Sequence, residues 1–102
     1  MAGVGRGTTP TAIYTTDIDL RTAEVVYLTF KQGSKVLIEK EKDDMEIDEN
    51  EVRVWLSQEE TLLLKHTQPV RMQFRVKFPD QTAVKSGIMT AQVGEILKDG
   101  VI

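Results

Sequence analysis

The sequence has no cysteine. That absence removes a disulfide framework, a thiolate metal site and a cysteine nucleophile together, so stability has to come from packing. Histidine occurs once, as His66, between a charged stretch and a turn proline. With no second imidazole and no thiol, no nucleophile and base assemble with any specificity, and His66 reads as an exposed or structural residue. No basic excess is present either. A formal charge of −3 argues against a chain whose main task is neutralising phosphates, so nucleic acid is not an expected partner. Long apolar runs are missing as well: nothing approaches the roughly 18 residues of a membrane span. The first residues hold no signal-peptide core, and Ala2 stands where a myristoylation signal needs glycine. No membrane attachment is expected.

What is present fits one globular domain. The chain has 102 residues, 40% of them hydrophobic and 28% charged, enough for one packed core and too little for two. Residues 1–10 (MAGVGRGTTP) are small and glycine-rich and read as a flexible arm. Residues 11–95 carry the structural periodicity, and residues 96–102 form an apolar tail broken by Lys98, Asp99 and Gly100.

The periodicity is that of strands. Residues 11–19 are rich in β-branched and aromatic side chains. Residues 25–31 (VVYLTFK) place Val26, Leu28 and Phe30 on one face, and a turn at 32–34 leads to a partner strand at 35–40. Met45 and Ile47 lie two apart within an acidic segment, as a weak edge strand requires, and Val52, Val54 and Leu56 alternate with Arg53 and Trp55. Ser57 and Glu60 form a capping box for one or two helical turns ending by Lys65. Residues 70–78 (VRMQFRVKF) show the cleanest alternation in the chain, and residues 83–93 make a last long strand with a bulge at Gly87. About seven short strands with one helical turn predict an all-β, immunoglobulin-like antiparallel sandwich.

Tests for chemistry return little. Around Asp44, Glu46 and Asp48 the glycine of a calcium loop is replaced by Glu49 and its final bidentate acid by Trp55. Near Asp17 and Asp19, Arg21 occupies a ligand place. The glycines Gly3, Gly5 and Gly7 follow no strand signal and so make no phosphate cradle. No catalytic residue, metal or cofactor is expected.

Candidate interaction residues remain. Arg71, Arg75 and Lys77 form a basic stripe on the exposed face of one strand, suited to a polar outer face or to docking on an acidic protein surface, including the acidic segment of another copy. Trp55, opposite Val54 and Leu56, belongs either to a second packed layer or to an interface. Ile96, Leu97, Val101 and Ile102 either pack back on the domain or dock on a partner, and Asp43, Asp44, Glu46 and Asp48 offer an alternative acidic face.

By residues 8–11 (TTPT), 56–62 (LSQEETL), 70–76 (VRMQFRV) and 95–102 (EILKDGVI), the chain resembles a family of small proteins of phages and prophages of Gram-positive bacteria. More distantly it is similar to the immunoglobulin-like N-terminal domain of phage baseplate upper proteins. The resemblance implies a non-enzymatic tail, baseplate or head accessory protein that assembles with other phage structural proteins or with itself. It places the chain in the host bacterial cytoplasm when made and in the virion if structural. A small inhibitor of a host enzyme or defence complex, acting through the acidic face, is the second expectation.

Overall fold

The computed structural model describes residues 3–102. Two sheets pack face to face. The larger runs in the order β1 (Gly3–Gly5), β9 (Met89–Gly94), β7 (Val70–Lys77), β3 (Val25–Gln32), β4 (Lys35–Glu41), with β8 (Ala83–Lys85) also on β7; the smaller is β2 (Thr11–Thr15), β6 (Glu51–Trp55), β5 (Met45–Asp48). The chain crosses between the sheets after β1, β2, β4 and β6. β1 runs parallel to β9, while every other pairing is antiparallel. This is the all-β, immunoglobulin-like sandwich.

The alternation decides which side chains meet. Val26, Leu28 and Phe30 of β3, with Val70, Met72, Phe74 and Val76 of β7, face Ala12 and Tyr14 of β2 and Val52 and Val54 of β6. All are buried. Antibody domains link the strands corresponding to β2 and β7 by an inter-sheet disulfide. Here Tyr14 stands edge-on to Phe74, ring centroids 5.2 Å apart and planes at 84°, and donates its hydroxyl hydrogen bond to the Met72 sulfur at 3.2 Å. An aromatic edge contact contributes about 0.5–1.5 kcal/mol beyond area burial. That contact bridges the layers without cysteine.

Three expectations are corrected. The residues taken as a flexible arm are built into the fold from Gly3 onward: Val4 is only 2% exposed, and Gly3, Val4 and Gly5 pair with Gln92, Val93 and Gly94. Met1 and Ala2 lie outside the described residues. The arm's glycines are suited to the close approach, since Gly5 and Gly94 lie nearly against one another. Arg6 then donates from Nε to the Leu64 carbonyl at 2.7 Å and from Nη2 to that of Leu62 at 3.2 Å. These oxygens lie at the C-terminal end of α1 (Gln58–Leu62), where carbonyls have no partner within the helix.

The last strand is two strands. Ser86 breaks it by donating its N–H to the Phe74 carbonyl at 3.0 Å while its hydroxyl accepts from the Phe74 N–H at 2.9 Å. The side chain thus takes the place of the next residue's ladder group. The first strand is also shorter than its composition suggests, ending at Thr15, and its apolar Ile13 points outward. Together the split and the added β1 turn about seven strands into nine among the described residues.

Elsewhere the local signals hold. The capping box is formed in full: Ser57 Oγ accepts from the Glu60 N–H at 3.2 Å, and Glu60 Oε1 accepts from the Ser57 N–H at 2.9 Å. Gly33 sits at φ +59° in the tight turn between β3 and β4, a region that favours glycine. Leu37 is absent from the register between Phe30↔Ile38 and Lys31↔Val36, so a bulge re-aims that edge strand and leaves Val36 exposed.

Candidate interaction surfaces

The outer face of the small sheet carries Trp55. Because Val52, Val54 and Leu56 point inward and are fully buried, Glu51, Arg53 and Trp55 must point outward. Trp55 is 69% exposed, which assigns it to an exposed face and not to a second packed layer. Cross-strand, Trp55 lies opposite Thr11, while Arg53 lies between Ile13 and Glu46. Ile13 is 54% exposed, so the face presents one aromatic and one aliphatic side chain among charges.

Trp55 is the ridge between two shallow depressions. One, of about 390 Å³, is bounded by Thr11, Met45, Arg53 and the acids Asp43, Asp44 and Glu46. The other, of about 350 Å³, lies against α1 between Thr9, Lys40 and Glu59. Of the acids singled out above, Asp43, Asp44 and Glu46 gather beside Trp55, and Asp48 lies farther along β5 opposite Glu51. Asp43 and Asp44 owe their place to a single 3-10 turn, Lys42–Asp44, in which Asp44 accepts a hydrogen bond from the Glu41 N–H at 3.0 Å. Glu60 is already engaged: it pairs with Lys40 at 2.7 Å. Burial pushes its carboxyl up, but the Lys40 hydrogen bond and the Ser57 amide outweigh that and leave it below the usual carboxylate range.

The opposite outer face belongs to the large sheet; it is basic along β7, with Glu39 and Glu41 of β4 on the same face opposite Thr29 and Tyr27. Arg71 and Arg75 of β7 are exposed and Lys77 is half-buried. Register adds two more cations that no reading of one strand reveals: Lys31 of β3 lies opposite Arg71, and Lys85 of β8 opposite Arg75. Tyr27 lies opposite Arg75 and is exposed. Among the described residues Lys31, Arg75, Lys77 and Lys85 make no ion pair. Arg71 donates to the Gly33 carbonyl at 2.7 Å, which anchors it beside the turn.

The tail follows the surface of the domain. Gln58 and Ile102 bond both ways, side-chain oxygen from backbone N–H at 2.9 Å and side-chain amide to carbonyl at 3.2 Å, and Arg6 reaches Asp99 at 3.4 Å. Ile96 is half-buried beside Gly7, whereas Leu97 is 99% exposed and Val101 and Ile102 also face outward. The backbone therefore packs back while most of the tail's apolar side chains do not.

A longer apolar groove, about 580 Å³, opens between β2 and the break at Ser86, lined by Tyr14, Ile18, Phe74, Val84 and Ile88. Nothing in the sequence signalled it, since it arises where the last strand splits. His66 is exposed. Asp19 is clamped by Arg21, accepting from its backbone N–H and Nε at 3.0 Å and from Nη2 at 2.7 Å. That bonding holds its carboxyl at about 2. Among the described residues no three His, Asp or Glu side chains gather as a metal site, and no helix is long and apolar enough to cross a membrane.

No protein-family model and no curated protein matches the chain. Among solved structures it is similar to the immunoglobulin-like domain of mouse leukocyte-associated immunoglobulin-like receptor 1, crystallised as a strand-swapped dimer. The identity is 13% and the TM-score 0.48, over 90% of this chain and 85% of that one.

Proposed function

We propose that the protein is a non-enzymatic assembly module, a tail, baseplate or head component of a phage particle that acts by protein–protein contact. The observation that carries the binding role is the placement of Trp55: the core is filled without it, yet it stands 69% exposed beside Ile13 on a regular sheet face. Aromatic side chains in such settings are over-represented among the residues that dominate interface energies. The phage setting is supported by the resemblance of residues 56–62, 70–76 and 95–102 to small phage and prophage proteins.

The test is mass spectrometry of purified particles from an induced lysogen carrying the gene. Stoichiometric protein in the particles supports a virion component. Protein found only in infected-cell lysate overturns it and turns attention to the second reading, a host inhibitor acting through Asp43, Asp44 and Glu46, which stand exposed beside Trp55.

A further inference from the structure

The two outer faces of a sandwich look in opposite directions, and here they carry opposite excesses of charge: Lys31, Arg71, Arg75, Lys77 and Lys85 against Glu39 and Glu41 on the large sheet, Glu46, Asp48 and Glu51 against Arg53 on the small one. On the large sheet, like charges sit directly across from each other twice, Lys31 opposite Arg71 and Arg75 opposite Lys85. On the small sheet Asp48 lies directly opposite Glu51. Like charges in such cross-strand pairs oppose folding, whereas opposite charges at the same positions would favour it. On the small sheet Arg53 offsets part of this, since it pairs with Glu51 at 3.0 Å and lies opposite Glu46, but the like-charge pairs themselves do not serve the isolated domain. Each face keeps an excess of one sign, which suits a surface of the other.

We infer that the occupant of each face is a second copy of this chain, the Arg71, Arg75 and Lys77 face of one copy seating on the Trp55 face of the next. The same chain supplies both signs, and the fit includes more than charge. An arginine brought over Trp55 gains a cation–π contact, for which tryptophan is the best aromatic partner. The depression beside Trp55 is walled by Asp43, Asp44 and Glu46 against the single cation Arg53, so an incoming guanidinium meets an excess of carboxylate there. Because the two surfaces differ, the contact is heterologous: it leaves one basic and one acidic face free at the ends and closes into a ring or continues as a stack. This deepens the assembly role proposed above and rests on it.

The test uses the intact chain and two charge-reversed variants, Arg71→Glu/Arg75→Glu/Lys77→Glu and Asp43→Lys/Asp44→Lys/Glu46→Lys. All six positions lie outside the core, and circular dichroism verifies that each variant folds. In sedimentation velocity at low ionic strength the natural chain self-associates, and raising salt beyond the physiological range, where the screening length is about 8 Å, weakens the association roughly tenfold or more. Each variant alone sediments as a monomer, because its two faces now repel those of its copies. Mixing the two restores association, since each then offers what the other lacks. A natural chain that stays monomeric at every concentration and salt overturns the inference, as does a mixture that fails to associate. Association that persists in each variant alone also overturns it while leaving the assembly role to the particle measurement. Recovery in the mixture, with the protein absent from particles, sustains the stacking and overturns the phage assignment.

Discussion

Gln32 is the most consequential polar side chain in the interior, and replacing it with leucine tests the packing account directly. It is 4% exposed. Its Nε2 donates to the carbonyls of Lys65 at 2.7 Å and Gln68 at 2.9 Å, and its Oε1 accepts from the Lys65 N–H at 2.8 Å. It thereby fastens the return from α1 to β7 onto the end of β3. Gln32→Leu leaves those backbone groups without partners, at about 1–3 kcal/mol for each group that stays dry. Lys65 is exposed and Gln68 half-buried, so water recovers part of the loss, and the added apolar burial recovers a little more. The net cost is about 2–4 kcal/mol, a large fraction of the 5–15 kcal/mol typical of a domain. With each kcal/mol worth roughly 4–8 °C at this size, Tm falls by about 8–30 °C. Urea unfolding followed by far-ultraviolet circular dichroism is the suitable assay, because Trp55 is largely exposed in the folded state and its fluorescence changes little on unfolding. The slope with urea stays the same while the midpoint falls. Gln58→Leu, which loses bonds to the tail at an exposed site, serves as control and costs within about 0.5 kcal/mol. A Gln32→Leu midpoint within error of that control would refute the reasoning.

Arg6→Ala removes the donors to the Leu62 and Leu64 carbonyls and destabilises by about 1–3 kcal/mol in the same titration, and Arg6→Lys recovers only part because an ammonium lacks the fork that reaches both oxygens. An unchanged midpoint in Arg6→Ala would show that its bonds to the Leu62 and Leu64 carbonyls contribute no stability. Burial raises the Tyr14 hydroxyl from 10.0 to about 12. The folded state thus holds the proton more tightly than the unfolded chain, so this contribution to stability is full below pH 10 and is lost as pH rises from about 10 toward 12, at up to about 1.4 kcal/mol per pH unit. Tyr14→Phe keeps the ring against Phe74 and lacks that loss, so parallel pH dependences of the two proteins over this range would contradict the assignment.

Much of the sandwich is legible in residue order because a strand's side-chain period is two and one face of each strand meets the core. Residues 70–77 alternate so regularly that burial follows the alternation, and Ser57 with Glu60 announces the helix start because both capping bonds are local. The failures also have physical causes. Gly3–Gly5 carries almost no side chain to show a period, and its pairing partner lies at the other end of the chain. Ser86 interrupts the last strand through a hydrogen bond to Phe74, a neighbour only in space. Ile13 looks like a core residue by type but is held outside by the inward placement of Ala12 and Tyr14.

For the candidate site the division is similar. The sequence by itself determined a cysteine-free all-β domain with an acidic segment and a basic stripe, because composition and alternation are properties of neighbours along the chain. The tertiary structure decided that Trp55 is exposed, that Lys31 and Lys85 widen the stripe into a face, and that the acidic and basic faces look away from each other. Strand register and sheet pairing join residues distant in sequence, and only that pairing turns single charged side chains into surfaces.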